Sequence, residues 1–297
     1  MREEYSIYRA NQNIPVFLRI NPKNNSLIMV KKKFIKHGKE GPYDWIIDFS
    51  YSQEFNKEVI LYKERIRKNT ENLRYLGFND KELVQSMSNI HKLINTTGCT
   101  HKNPADRAKY RKFLIPVYEK LYYELLKKTN IKNALLFSPK TGGNLVIKTY
   151  LKLGFLGVLN ENIIDYDVGR IVMKDGRLMV GLKNNGPKPN LKNYQVIIFA
   201  DDCLSTSVTA FATFRWIKEL AMKQNVNSKK IEIFIVVSVA NQRAAQYLLD
   251  KKNLDFFDFK RLKIIAGIPN FQKADDFYML DSDGKLLVGD MGRWIAE

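Results

Sequence analysis

Two adjacent carboxylates, Asp201 and Asp202, follow directly on the apolar run Val196–Ala200, and Ser205, Thr206, Ser207 and Thr209 come within a few residues after them. Carboxylates can grip neighbouring sugar hydroxyls or a hydrated cation. Hydroxyls beside the unpaired N–H groups of a helix start can cradle a phosphate, which the helix dipole also favours. One molecule asking for both is a sugar phosphate. The plainer reading is a capping cluster that opens an ordinary helix, since Asp, Ser and Thr are favoured there. A second stretch, SPKTGGNLV, sets Lys140, Thr141, Gly142 and Gly143 side by side. A cation with close backbone N–H approach suits an anion, although standing alone the segment also reads as a glycine turn between strand and helix. Cys203 lies between the acids and the hydroxyls, but no base partner is evident, so it reads as a small packing residue.

The elements that must position these residues follow an alternating pattern from residue 131 onward. Apolar runs at 134–137, 196–199, 231–240 and 261–268 read as strands, and helices are expected over about 144–154, 208–223 and 241–250. DVGRIVMKDGRLMVGLK reads as a hairpin turning at KDGR. Strand, loop and helix in succession predict an α/β fold with a mostly parallel twisted sheet flanked by helices, and ligands at the carboxyl ends of its strands. The N-terminal part differs. Residues 1–52 read as a small β-rich module of short strands, and 53–130 as a basic helical segment leading into an α/β domain at 131–297. Within that segment, 54–78 reads helical, Asn79-Asp80 is a cap for a helix through Ile94, and a long amphipathic helix starts at Ala105, with Pro116 expected to kink or restart it.

Composition narrows the partners. The formal net charge is +18, with 25 Lys+Arg against 14 Asp+Glu in residues 1–130 and 24 against 17 in the rest. Such a surplus suits phosphorylated ligands or polyanions, and equally a lysine-rich solvated surface. No apolar run approaches the roughly 20 residues of a membrane span, the first residues carry no signal-peptide pattern, and two cysteines give no disulfide framework. A cytoplasmic protein without membrane contact is expected. Three scattered histidines suggest no metal cluster.

VIIFADDCLSTSVTA resembles the phosphoribosyl-pyrophosphate (PRPP) signature of type I phosphoribosyltransferases: apolar strand, two acids, two variable residues, then a phosphate loop. The resemblance spans roughly 105–297 and is closest to uracil phosphoribosyltransferase-like proteins, with a divergent loop. The helix ADRAKYRKFLIPVYEKLYYELLKK is similar to the one before that subfamily's first core strand. The stretch from Asp167 to Asp202 looks like its flexible hood, placed at about 165–190, and KLLVGDMGRW resembles its closing segment.

The resemblance implies that Asp201 and Asp202 hold the ribose hydroxyls and that Ser205, Thr206, Ser207, Val208 and Thr209 wrap the 5′-phosphate. Lys140, Thr141, Gly142 and Gly143, with Arg170 and Lys183 of the hood, would take pyrophosphate. Gly289, Asp290, Met291 and Gly292 would border the base through backbone atoms. Mg²⁺ would come with PRPP, held chiefly by its oxygens and by water rather than by a protein cage. The implied activity is transfer of phosphoribose to a nucleobase, as in pyrimidine salvage, by a homo-oligomer, a dimer or larger.

Departures are local. Ser207 stands where the phosphate loop has its first glycine, and a left-handed backbone there would cost a non-glycine residue about 1–3 kcal/mol. The pyrophosphate loop lacks the arginine of uracil-specific members, the closing segment lacks their Pro-Gly pattern and second acid, and Asp202 replaces their proline. A second reading therefore stands beside the enzyme: a weak or inactive relative that senses a nucleotide and binds nucleic acid through the basic residues of Met29–Lys39 and Tyr62–Arg74. Lys31–Lys33 also fits a solvated strand edge, where lysines discourage aggregation.

Overall fold

The computed structural model describes the backbone of four N-terminal strands and most of residues 70–295, with gaps at 132–133, 141, 153–161, 173–177, 185, 187–188, 206, 271, 274–278, 281–284, 286 and 289–290. The strands are β1 (Tyr5–Arg9), β2 (Val16–Ile20), β3 (Leu27–Lys31), β4 (Trp45–Phe49), β5 (Leu73–Tyr75), β6 (Ala134–Pro139), β7 (Ile163–Val172), β8 (Leu178–Asn184), β9 (Val196–Ala200), β10 (Cys203–Leu204), β11 (Glu232–Asn241), β12 (Arg261–Asn270), β13 (Gln272–Lys273) and β14 (Met279–Leu280). The helices are α1 (Lys81–Ile94), α2 (Pro104–Leu126), α3 (Gly143–Lys152), α4 (Val208–Lys223), α5 (Gln242–Leu249), α6 (Lys251–Phe257) and α7 (Met291–Ile295).

The main sheet runs β3-β2-β1-β4-β8-β7-β6-β9-β11-β12-β5, with β10 added on β11. From β7 to β5 every neighbouring pair is parallel. From β7 outward to β3 every pair is antiparallel. The parallel strands are nearly continuous apolar runs because both of their faces are covered. Alternate residues serve opposite sides. Leu135, Phe137, Ile197, Phe199, Ile233 and Ile235 pack with α4, α5 and α6. Ala134, Leu136, Ile198, Ala200, Phe234 and Val236 pack with α1, α2, α3 and α7. A period of two along each strand thus feeds two cores at once.

Helix starts follow the expected chemistry. Asp80 caps α1, its carboxylate accepting from Leu83 N at 3.0 Å. Asn103 caps α2, which runs through Pro116 as one helix with no restart. A correction concerns 70–78, the described part of the helix expected over 54–78. Leu73–Tyr75 is instead an edge strand, paired in parallel with Ile264–Ala266. Its burial alternates, Leu73 and Tyr75 inward and Arg74 part-exposed. Two large residues docking beside β12 outweigh the apolar spacing that suggested a helix. The rest of that helix, 54–69, and the KDGR turn lie outside the described residues.

Counted from β6, the first five core strands stand in the order second, first, third, fourth, fifth, so the strand order reverses between β6 and β9. In open α/β sheets a crevice forms at this reversal, outside the strands' carboxyl ends. The loops that leave there are 140–142 and 201–207.

Candidate functional site

Asp201 sits where β9 ends, its backbone N–H still bonded to Val236 O at 3.2 Å and its side chain largely buried at the rim. Asp202 N donates to Asp201 Oδ1 at 2.8 Å, and Cys203 N donates to Asp202 Oδ1 at 2.6 Å. The carboxylates are therefore held by the chain that carries them. Ser238 of β11 fixes the turn from beneath, donating to Asp202 O from both its N–H (3.0 Å) and its hydroxyl (2.5 Å). Cys203 and Leu204 then pair with Val239 and Ala240 as β10.

The bend that follows borders a small open recess lined by Asp201, Cys203, Leu204, Ser205 and Ser207–Ala210. It abuts the N-terminus of α4, where Ser207 is the cap with φ 62° and ψ 0°. The left-handed backbone expected of a glycine is thus present at a serine. Its hydroxyl donates to Ala244 O of α5 at 2.5 Å and accordingly does not cap α4. Thr209 is buried in the first turn, and its carbonyl accepts from Thr213.

The loop after β6 reaches the same place. A Cβ on Gly142 would stand 2.0 Å from Asp201 Oδ1 and 2.8 Å from Asp202 Oδ1. One on Gly143 would meet Ser138 Oγ at 1.8 Å and Ala200 O at 2.4 Å. Only glycines let this loop lie against the acid pair, so the two stretches singled out in the sequence, with Gly142 and Asp201 59 residues apart by number, form one surface.

Lys140 is half-exposed. Its N–H bonds Tyr166 O at 2.9 Å and its ammonium lies 3.9 Å from Asp167 Oδ1. Lys183 stands opposite Asp167 across the β7–β8 ladder, and Arg170 farther along β7 stands opposite Val180. Sequence reasoning missed Asp167 and its neighbour Asp165. Burial pushes the Asp165 carboxyl above its ordinary range; Lys140 opposes this and Asp167 adds to it. Alternating acids, Asp165 and Asp167, along β7 were the available signal.

The closing segment comes to the same edge from the other side. Met291 is buried, with its Sδ 3.7 Å from Ser238 Oγ, the hydroxyl that also holds Asp202. Trp294 is buried and stacks on Tyr110 with 5.2 Å between ring centres, which makes it a packing anchor. Tyr110 in turn donates to Val288 O at 2.7 Å. Beneath the acids, burial and then the charges of Asp202 and Asp201 push the Tyr118 phenol well up, so it stays neutral. Thr141, Thr206, Gly289 and Asp290 lie outside the described residues, and for Arg170 and Gly292 only the backbone is described. Among the described residues no group of three or more His, Cys, Asp or Glu could hold a metal, and no helix is long and apolar enough to cross a membrane.

No protein-family profile and no curated protein sequence matches the chain. Among solved structures it is similar to the AQ2163 protein from Aquifex aeolicus, with 17% identity and a TM-score of 0.50, over 75% of this chain and 97% of that one. Looser likeness extends to a hypoxanthine phosphoribosyltransferase from Staphylococcus aureus, with 14% identity and a TM-score of 0.36, over 55% of this chain and 76% of that one. An adenine phosphoribosyltransferase from Leishmania donovani follows at 11% identity and 0.39, over 72% and 90%. At 17% identity the likeness to the Aquifex aeolicus protein is one of fold alone.

Proposed function

We propose that the protein binds a phosphorylated ribose, PRPP or a nucleotide, in the crevice between β6 and β9 and transfers phosphoribose to a nucleobase. The observation that carries this reading is the apposition of Gly142 to Asp201 and Asp202. It joins the acid pair, the recess at the start of α4 and the Lys140 loop into one cleft with places for ribose, 5′-phosphate and pyrophosphate. In the reaction a ring nitrogen of the base attacks C1 of the ribose while the bond from C1 to the pyrophosphate oxygen breaks. Pyrophosphate leaves with the bonding pair, and the base gives up its N–H proton to water or to pyrophosphate. Little covalent work falls to the protein, whose tasks are positioning and electrostatic support of the leaving group.

Asp201 and Asp202 accept from the ribose hydroxyls. Ser205, Thr209 and the amides of the bend hold the 5′-phosphate, with Thr206 and Val208 completing the loop. Lys140, Gly142 and Gly143, with Thr141, Arg170 and Lys183, face pyrophosphate. The segment from Gly289 to Gly292 borders the base, a place supported by the contact of Met291 with Ser238. Mg²⁺ would come with PRPP, held chiefly by its oxygens and by water, and would supply charge neutralisation; the rim carboxylates Asp201 and Asp202 fit such a hydrated ion, which dehydrates reluctantly.

The test is release of pyrophosphate from PRPP, Mg²⁺ and a panel of bases by the full chain. Asp201→Asn with Asp202→Asn should lower it by about 100-fold or more, since two ribose contacts are lost together. No release with any base from well-folded protein would sink the enzyme. Two features favour a nucleotide sensor in that event: the left-handed Ser207, and Lys140 already engaged by Asp167. Nucleotide binding without turnover, abolished by the same double substitution, would establish that reading.

A further inference from the structure

Among the described residues of the candidate site Ser207 alone has a left-handed backbone, at φ 62° and ψ 0°, and it is buried. Non-glycine residues persist there only where the surroundings hold them. Here two bonds do so: Ser207 Oγ donates to Ala244 O, and Ser207 O accepts from Phe211 N at 2.8 Å. Just upstream, Cys203 and Leu204 are paired with Val239 and Ala240. The bend is thus fastened at both ends to the same neighbour, by a short ladder to β11 before it and by a hydroxyl to α5 after it. A serine hydroxyl has a single proton, and with that proton on Ala244 O it has none to give a phosphate.

We propose that Ser207 is a positioning residue that preforms the phosphate loop rather than a ligand of the phosphate, an assignment that rests on the function proposed above. A glycine would adopt the same backbone without strain but would leave the free loop many conformations. The tethered serine restricts them before the anion arrives, so less ordering is left to binding. The amides of the bend and the hydroxyls of Ser205 and Thr209 then meet the phosphate in a fixed frame.

The experiment compares wild type, Ser207→Ala and Ser207→Gly as full-length proteins. Hydrogen exchange is read across residues 203–209 in the free protein, and calorimetry measures ribose 5-phosphate binding. Ser207→Ala keeps the strained side-chain-bearing backbone and loses the tether. It should speed exchange in the bend about tenfold, leave β9 unchanged and weaken ribose 5-phosphate about tenfold. Ser207→Gly removes the strain as well and should recover part of that affinity. Unchanged exchange in Ser207→Ala overturns the proposal. Equal affinity losses in both variants also overturn it, because that is the signature of a hydroxyl donating to the phosphate. If wild type binds no ribose 5-phosphate, the proposed function falls; faster exchange in Ser207→Ala would then still support the tether, and unchanged exchange would remove it.

Discussion

The loop after β9 and the loop after β6 meet at one crevice, yet the first is bonded to five neighbours while the described bonds of the second are one backbone bond, from Lys140 N to Tyr166 O, and a solvent-facing ion pair. Residues 201–207 bond to Val236, Ser238, Val239, Ala240 and Ala244. Lys140 leans on Asp167 at 3.9 Å with both side chains about half exposed, an arrangement worth roughly 0–1 kcal/mol. The difference suits the two tasks proposed for them. A 5′-phosphate stays throughout a transfer and gains from a rigid frame, whereas a pyrophosphate must leave and gains from contacts that exchange readily.

The largest expected effect breaks the apposition itself. Gly142→Ala would drive a methyl group onto Asp201 Oδ1, an atom that cannot swing away without losing its bond from Asp202 N. Affinity for PRPP should fall by about 10- to 100-fold while the fold survives, a range set by typical overpacking penalties. Unaltered affinity by calorimetry would separate the two loops and dissolve the single cleft.

A smaller effect sharpens the contrast. Asp167→Asn releases Lys140 and removes a negative charge, so inorganic pyrophosphate should bind about threefold more tightly and ribose 5-phosphate nearly as before. Equal gains for both ligands would show a diffuse field rather than a local pair. A loss for pyrophosphate would make Asp167 part of the binding surface.

The smallest effect is on stability. The folded protein binds a proton at Asp165 more tightly than the unfolded chain does, because burial disfavours the ionised form. The resulting penalty on folding is absent below the ordinary value of 3.8, grows as pH rises from there through the raised pKa, and is constant above it. Asp165→Asn should therefore raise the melting temperature near neutral pH by about 1–3 °C, with the gain fading as pH falls toward 3.8. A gain that does not change with pH would assign it to something other than ionisation.

What the sequence made legible was local. Val196–Ala200 followed by two acids and a helix start is a contiguous pattern, and α4 falls at the expected residues, 208–223. The Asp80 cap was equally readable because cap and helix are neighbours in the chain. Pairings between distant segments were not. The strand at Leu73–Tyr75 exists because β12 offers it an edge. Asp167 matters because the register sets Lys183 across from it and Lys140 comes to its side. The left-handed backbone at Ser207 was foreseeable from the loop's expected shape, but the tether that offsets its strain comes from Ala244, in another helix.

The N-terminal strands add a mechanical consequence. β7 and β8 are an antiparallel pair, and such a pair with one free margin can hinge like a flap. Here Trp45–Phe49 runs along that margin, matched residue for residue with Leu178–Leu182, and three more strands continue behind it. The backbones of Arg170 and Lys183 therefore lie within a broad sheet, and β7 and β8 move only together with the strands paired to them.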